Sequence, residues 1–380
     1  MSSIECFIPS MSGEDISTTV ESFSRSQSFT GVTILSGASL RSTETLRSIA
    51  EAISHKYVLI YTKDNPLEMG MFALDRILSI AEDTRADMLY ADHYSLLEDG
   101  TKKRHPLIEC QKGALRDDFD FGSVLVFRSS SFRKAVRSMT DDYEWGALYD
   151  LRLRMKRIVH INEYLYTEVE TDNRKSGEKL FDYVDPKNRA VQIEMEQICT
   201  EHLKRIGAWL PPVFKDVDFS DSEEYPVTAS VVIPVFNRIR TVGDAVASAL
   251  GQKCAFPFNV IVVDNHSTDG TTELLAQMAA DDSRVVHIIP ARCDLGIGGC
   301  WNLAVNSALC GRFAVQLDSD DLYSDENTLQ RVVDGFYHQQ CAMLVGTYRI
   351  CDFDLNTLPP GIIDHREWSE ENGRNNALRI

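Results

Sequence analysis

The sequence predicts an α/β protein made of two consecutive domains, each built on a mostly parallel sheet. Three observations carry that reading. Short apolar runs rich in Val, Ile, Leu and Tyr alternate with segments of helical spacing, which is the pattern of strand–helix–strand units. The pattern starts twice, at residue 4 and again near residue 229, on either side of an acidic stretch, Pro211 to Tyr225, that has little to bury. A length of 380 residues is enough for about two buried cores. The expected division is a first domain over 1–210, a linker over 211–226 and a second domain over 227–380.

In the first half, Ile4–Pro9 reads as a strand, Ile16 to Phe23 as a helix and Gly31–Leu35 as a strand closed by Ser36-Gly37. A helix over about 43–54, a strand at Lys56–Tyr61 and a helix from Leu67 to Ala81 follow. Asp87–Asp92 and Phe121–Phe127 are further strands, and 142–157 and 188–206 carry helical spacing. Beyond the linker the expected strands are Ala229–Phe236, Asn259–Asp264 and Arg284–Ile289, with helices at Val242–Leu250, Thr272–Ala280 and Cys300–Leu309. Placed side by side, Ile8-Pro9 matches Ile233-Pro234, Val32–Leu35 matches Val260–Val263, and Tyr57–Pro66 matches Phe313–Leu322, so the chain reads as a duplication of one α/β unit.

Composition narrows the function classes. Hydrophobic and charged fractions of 43% and 25% are those of an ordinary globular protein. A formal charge of −18 disfavours nucleic acid or anionic lipid as the main partner, since both need a basic surface. The start, Met1-Ser-Ser-Ile-Glu-Cys6, has no basic and apolar leader, and no apolar run approaches the roughly 18 residues of a membrane span. A cytoplasmic protein is expected, with peripheral association at the inner face of a membrane left open. Nine scattered cysteines without a C-x-x-C pair read as reduced thiols.

The chemistry concentrates in Phe313-Ala-Val-Gln-Leu-Asp-Ser-Asp-Asp-Leu-Tyr323, an apolar strand that ends in Asp318, Asp320 and Asp321. Carboxylates clustered at the carboxyl end of a strand repel one another unless a cation joins them. Hard ions such as Mg²⁺ or Mn²⁺ suit such ligands, and one or two carboxylates plus substrate phosphates complete the shell. An acidic turn that merely caps a helix starting at Asp325 or Glu326 is the alternative.

Four motifs in the second half together resemble the family 2 glycosyltransferases, an inverting family with the nucleotide-sugar-binding GT-A fold. They are Ser230-Val-Val-Ile-Pro-Val-Phe-Asn237, Val262-Val-Asp-Asn-His-Ser-Thr-Asp-Gly-Thr271, Leu295-Gly-Ile-Gly-Gly-Cys-Trp-Asn302 and Leu317-Asp-Ser-Asp-Asp321. The resemblance is close over about 228–350 and looser over 4–205, which implies two GT-A-like domains in tandem. It implies that Pro234, Val235 and Asn237 line the base and ribose of a nucleotide. Asp264 would accept a hydrogen bond from the base or ribose, with an Asx-turn as the alternative. The run from Gly296 would bring backbone N–H groups to the nucleotide, and Asn302 closes that motif among the donor-binding residues. Asp318 would bind the ribose and Asp320 the metal bridging the two phosphates, while Asp321 caps the next helix or supports the site from behind.

The implied reaction is transfer of a hexosyl group from a nucleoside diphosphate sugar, a UDP-sugar being favoured, with inversion. The acceptor would be a saccharide or lipid-linked saccharide, as in surface polysaccharide synthesis. A non-catalytic nucleotide-sugar-binding or scaffold module is one alternative. A sugar nucleotidyltransferase is another, but Pro234–Arg240 lacks the basic glycine loop it would want.

The sequence departs from the family in two places. The acidic motif that supplies the base is not found after the metal strand, so the second domain is expected to be cut short and no base is assigned there. In the first domain Thr62 stands where Asp318 would, Lys63 lies beside the one retained carboxylate, Asp64, and the Asp264 position is empty of acid. Asp64 is a candidate metal ligand, with neutralisation by Lys63 as the alternative. Asp142 or Glu144 is a candidate base, with an acidic pair at a helix N-terminus as the alternative. His105, His160 and His202 are isolated in sequence and read as structural. Trp301 is expected to pack its helix, and Trp368 is open to a sugar contact.

Overall fold

The computed structural model describes residues 3–9, 16–63, 65–97, 99–169, 189–211, 213, 215–220 and 224–365. Two compact units emerge, one from Met1–Pro212 with Thr347–Ile380 and the other from Val213–Gly346.

The first unit runs β1 (Ile4–Pro9), α1 (Ser17–Ser24), β2 (Phe29–Leu35), α2 (Thr43–Ala52), β3 (Tyr57–Tyr61), β4 (Leu67–Met69), α3 (Ala73–Thr84) and β5 (Met88–Leu96). It continues with β6 (Lys102–His105), β7 (Val124–Arg128), α4 (Ser129–Arg137), α5 (Ala147–Leu153), β8 (Ile158–Val169) and α6 (Arg189–Ile206). Its sheet has the order β2-β1-β3-β7-β5-β8-β4, with β6 paired to β5. Only β2/β1/β3 and β5/β8 pair in parallel, and β7, β4 and β6 pair antiparallel. The expectation of a mostly parallel sheet is thus corrected to a mixed one. Strand β3 is buried throughout: Val58 and Ile60 enter one core, Tyr57, Leu59 and Tyr61 the other, as the two-residue period of a central strand requires.

Two further corrections have visible causes. Leu67-Glu68-Met69 does not open a helix but alternates buried, exposed, buried, and the hydroxyls of Thr19 and Ser22 on α1 accept its N–H groups at 3.1 Å each. The helix read over 142–157 shrinks to α5, because the Glu194 carboxylate collects the N–H groups of Glu144, Trp145 and Gly146 and holds that stretch as a loop. Strand β8, α4 and β6 were not anticipated; polar residues such as His160, Asn162 and Glu163 interrupt the apolar run of β8.

The second unit runs β9 (Ala229–Val235), α7 (Val242–Leu250), β10 (Phe258–Asp264), α8 (Thr271–Asp281), β11 (Val285–Ile288), α9 (Gly296–Val305), β12 (Phe313–Gln316) and α10 (Thr328–Gln339). Its four strands are all parallel in the order β11-β10-β9-β12. Strands β9 and β10 are buried along their whole length, as their mostly apolar sequences require, and the buried polar pair Ser230 and Asn259 is joined by a hydrogen bond. Gly311 lets the chain enter β12: a Cβ there would meet the Val227 carbonyl at 2.8 Å. Part of the segment expected to be a free linker is packed on this unit, since Phe219 lies edge-on to Phe313 and Tyr337 and the Val217 N–H donates to Gln340. An antiparallel hairpin, β13 (Tyr348–Cys351) and β14 (Thr357–Ile363), follows in sequence and falls in the stretch grouped with the first unit.

The units share a three-strand register. In the first, β1 lies between β2 and β3 with Pro9 opposite Leu35 and Phe7 opposite Ile60. In the second, β9 lies between β10 and β12 with Pro234 opposite Val263 and Val232 opposite Gln316. The first unit passes from β2 through α2 to β3, and among its described residues there is no counterpart of β11 and α9.

Candidate functional site

In the second unit β10 and β11 lie to one side of β9 and β12 lies to the other, so the chain reverses direction of growth at β9. In open parallel sheets ligands settle at the carboxyl edge of such a switch point. The loops after β9, β10 and β12 meet there.

Hydrogen bonds lace the loops after β9 and β10 together. Asn237 adopts φ +53°, which a short polar side chain tolerates; its Oδ1 accepts the Thr268 N–H at 2.8 Å, and its own N–H donates to Ser267 Oγ at 2.9 Å. The Asn265 N–H donates to the Val235 carbonyl, the Arg238 N–H to Thr271 Oγ1 at 3.0 Å, and the Ile239 N–H to Asp269 Oδ2 at 3.1 Å. Pro234 and Val235 are buried in the strand, so what this edge presents is backbone and the exposed Phe236.

Asp264 is fully buried at the end of β10. Its Oδ1 accepts the Ser267 N–H at 2.9 Å, its Oδ2 accepts the Thr272 hydroxyl, and His287 Nε2 on β11 stands 3.6 Å from Oδ2. Burial disfavours the charge, yet the bonds from Thr272 and Ser267 and the nearby His287 hold the carboxyl below its ordinary range. In this conformation Asp264 is an Asx-type organiser of the 265–272 loop, a role weighed from the sequence. His287 was missed there, because nothing in a strand pattern marks one histidine as facing a carboxylate.

Asp318, Ser319, Asp320 and Asp321 form a tight turn closed by the Asp321 N–H donating to the Asp318 carbonyl at 3.1 Å. Asp318 is half-buried and accepts from Gln316 Nε2 at 3.3 Å. Desolvation first, and then the neighbouring carboxylates of Asp318 and Asp320, push the Asp321 carboxyl up. The nearby cation is Arg238, whose Nε is 3.7 Å from Asp320 Oδ2. Asp321 does not cap the following helix: α10 starts at Thr328, and Asp325 Oδ1 accepts the Asn327 N–H in the turn before it.

Helix α9 begins at Gly296 itself, with φ +59° and open space around its Cα, so the glycine run forms the first turn rather than preceding the helix. Because α9 follows β11, that first turn faces the carboxyl edge. Asn302 sits about 9 Å further along the axis, exposed, with its Oδ1 accepting from Asn306, so the structure leaves it apart from the edge. Trp301 packs on the core beside Val232, Ile261 and Val263.

Among the described residues no three His, Cys, Asp or Glu side chains form a metal cage. The crowded turn at 318–321 nevertheless suits a divalent ion that takes its remaining ligands from phosphate and water.

In the first unit Asp64 and, beyond the hairpin, Trp368 lie outside the described residues. The Lys63 ammonium is bound by Glu168, which also accepts the Ser123 hydroxyl and lies 3.3 Å from His93 Nε2. Burial opposes the Glu168 charge, but hydrogen bonds from His93, Lys63 and Ser123 hold the carboxyl down to about 2. The histidines that stand alone in sequence and read as structural have partners in the fold: His160 Nε2 is 2.7 Å from the buried Asp92, His105 pairs with Asp120, and burial with Arg205, Arg152 and Arg154 drives His202 down to about 4. Of the candidate bases, Asp142 is paired with Arg47, and Glu144 sits in the loop whose amides Glu194 collects.

Residues 230–378 match the family model described as glycosyl transferase family 2. That segment is a family 2 glycosyltransferase domain. The chain is 31% identical over 121 residues to the putative teichuronic acid biosynthesis glycosyltransferase TuaG of Bacillus subtilis, covering 32% of this chain and 46% of that protein. It is 26% identical over 203 residues to an uncharacterized glycosyltransferase of Rickettsia felis, 48% of this chain and 33% of that protein. It is 30% identical over 112 residues to the GalNAc(5)-diNAcBac-PP-undecaprenol beta-1,3-glucosyltransferase of Campylobacter jejuni, 29% of this chain and 36% of that protein. The chain thus spans a third to a half of the length of these relatives. Among solved structures, S. aureus TarS 1-349 in complex with UDP-GlcNAc aligns with a TM-score of 0.34 and 12% identity, covering 55% of this chain and 73% of that one. The matched segment contains the Asp318–Asp321 turn. No helix among the described residues of the whole chain is long and apolar enough to cross a membrane.

Proposed function

We propose that the second unit binds a nucleoside diphosphate sugar, a UDP-sugar in preference, and belongs to a metal-assisted inverting hexosyltransferase that builds a surface polysaccharide. The observation that carries this reading is the turn of Asp318, Asp320 and Asp321 at the switch point of a parallel sheet inside a segment of known family. The acceptor class, a saccharide or lipid-linked saccharide, is supported by the printed names of the teichuronic acid and undecaprenol-linked relatives.

Each group then has a task. The glycine turn at Gly296 and the exposed Phe236 flank the space for the nucleotide, and Asp318 accepts from a ribose hydroxyl. Asp264 has lone pairs not used by Ser267 or Thr272, and one can accept the imide N–H of uracil once the 265–268 loop opens over it. Asp320, with Asp318, would hold Mg²⁺ or Mn²⁺, whose chemistry when bound is to neutralise the charge developing on the departing diphosphate. The acceptor hydroxyl attacks the anomeric carbon from the opposite face, its proton passing to a base not assigned in this unit. The first unit, with Lys63 neutralised by Glu168 and no counterpart of α9, is read as a partner or acceptor module rather than a second donor site.

Saturation-transfer NMR with UDP-sugars and GDP-sugars tests the donor class. Transfer to uracil and ribose protons, with ³¹P resonances broadened by trace Mn²⁺ in the intact chain, is expected. Signals from GDP-sugars alone would overturn the UDP preference, and no signal from any donor would favour a scaffold.

A further inference from the structure

Arg238 and Asp320 occupy loops that leave adjacent parallel strands, β9 and β12, at the same edge. The backbone of Arg238 is pinned on both sides. Its N–H donates to Thr271 Oγ1, and its carbonyl accepts the N–H groups of Thr241 and Val242, which begin α7. Its side chain is half exposed and touches Asp320 only through Nε at 3.7 Å, beyond hydrogen-bond length. Its Nη1 also donates a long bond of 3.4 Å to the Asn237 carbonyl, so the arrangement is a fixed pivot carrying a guanidinium held by two long contacts beside the three carboxylates of the 318–321 turn. Lys63 in the first unit is the opposite case, its partner Glu168 being buried and bonded by Ser123 as well.

We propose that Arg238 is an exchangeable counter-ion for the Asp318–Asp321 turn. Without a divalent ion the guanidinium relieves the repulsion among the carboxylates. A divalent ion must displace it to ligate Asp320, and the freed guanidinium then faces the diphosphate that arrives with the ion. Metal alone therefore binds weakly, and metal and diphosphate bind cooperatively. This rests on the donor-site reading above.

The test measures free Mn²⁺ by electron paramagnetic resonance during titration of the intact chain, with and without UDP. Arg238→Ala should tighten Mn²⁺ binding in the absence of nucleotide about two- to five-fold, the range an exposed ion pair allows. With Mn²⁺ saturating, the same change should weaken UDP, so that the mutual enhancement of the two ligands falls. Arg238→Lys, which keeps the charge, should stay close to wild type in Mn²⁺ affinity, and circular dichroism checks that both variants fold. Unchanged or weaker Mn²⁺ binding by a folded Arg238→Ala, with Mn²⁺–UDP still bound by wild type, overturns the counter-ion role and leaves the donor site standing. Absence of Mn²⁺ and UDP binding in wild type overturns both.

Discussion

The ammonium of Lys63 is bound by the buried carboxylate of Glu168, one residue beyond Thr62, the position that strand register matches to Asp318. The first unit thus carries a locked internal ion pair next to the place where the second carries open carboxylates.

That pair predicts an acid-labile contribution to stability. The Glu168 carboxyl is lowered from 4.5 to about 2, so the charged form favours the folded state, and its stabilisation is present above the unfolded value and lost as pH falls from about 4.5 through 2. The full swing is worth about 3 kcal/mol. Glu168→Gln should remove this part of the pH dependence, so the difference in melting temperature from wild type should shrink steadily below about pH 4.5. Melting curves between pH 7 and 3 check it; a constant difference contradicts it.

Asp264 predicts a structural cost distinct from a binding one. Replacing the fully buried Asp264 by Ala leaves the Ser267 N–H without its acceptor and the Thr272 hydroxyl with only the Ser267 carbonyl at 3.2 Å, at a cost of about 1–3 kcal/mol. Asp264→Ala should lower the urea midpoint and speed amide exchange at Ser267.

Asp320 is the contrasting case. It is exposed and has only a long contact to Arg238, so Asp320→Ala should leave the melting temperature within about 1 °C, since exposed pairs contribute little. Loss of metal-dependent nucleotide binding without loss of stability is the expected pattern.

Phe219 tests whether the 215–220 stretch of the expected linker is part of the second unit. Its ring meets Phe313 and Tyr337, and Arg312 lies over its face at 5.2 Å. Phe219→Ala should destabilise that unit by about 1–3 kcal/mol, less than a fully buried Phe because the ring is only partly covered. A neutral outcome would return the segment to the free linker read from sequence.

The second unit was the more legible half because its strands centre on short apolar runs such as Val231–Val235 and Val260–Val263, each followed by a polar turn. The first unit was harder. Its β8 mixes His160, Asn162 and Glu163 into a strand, and its α5 region has helical spacing that Glu194 overrides from fifty residues away. Residue identity at the strand ends was readable; which of them face one another was not. Nothing local announces that Lys63 turns to Glu168, that His287 looks at Asp264, or that Arg238 reaches Asp320, since each pairing is made by the sheet.

The central claim is a metal-bridged donor site on the 318–321 turn, and calorimetric titration of UDP with and without Mn²⁺ tests it most directly. Wild type and Asp64→Ala should bind UDP only when Mn²⁺ is present, and Asp320→Ala should not bind it. Binding that ignores Mn²⁺, or that survives in Asp320→Ala and disappears in Asp64→Ala, would contradict the account.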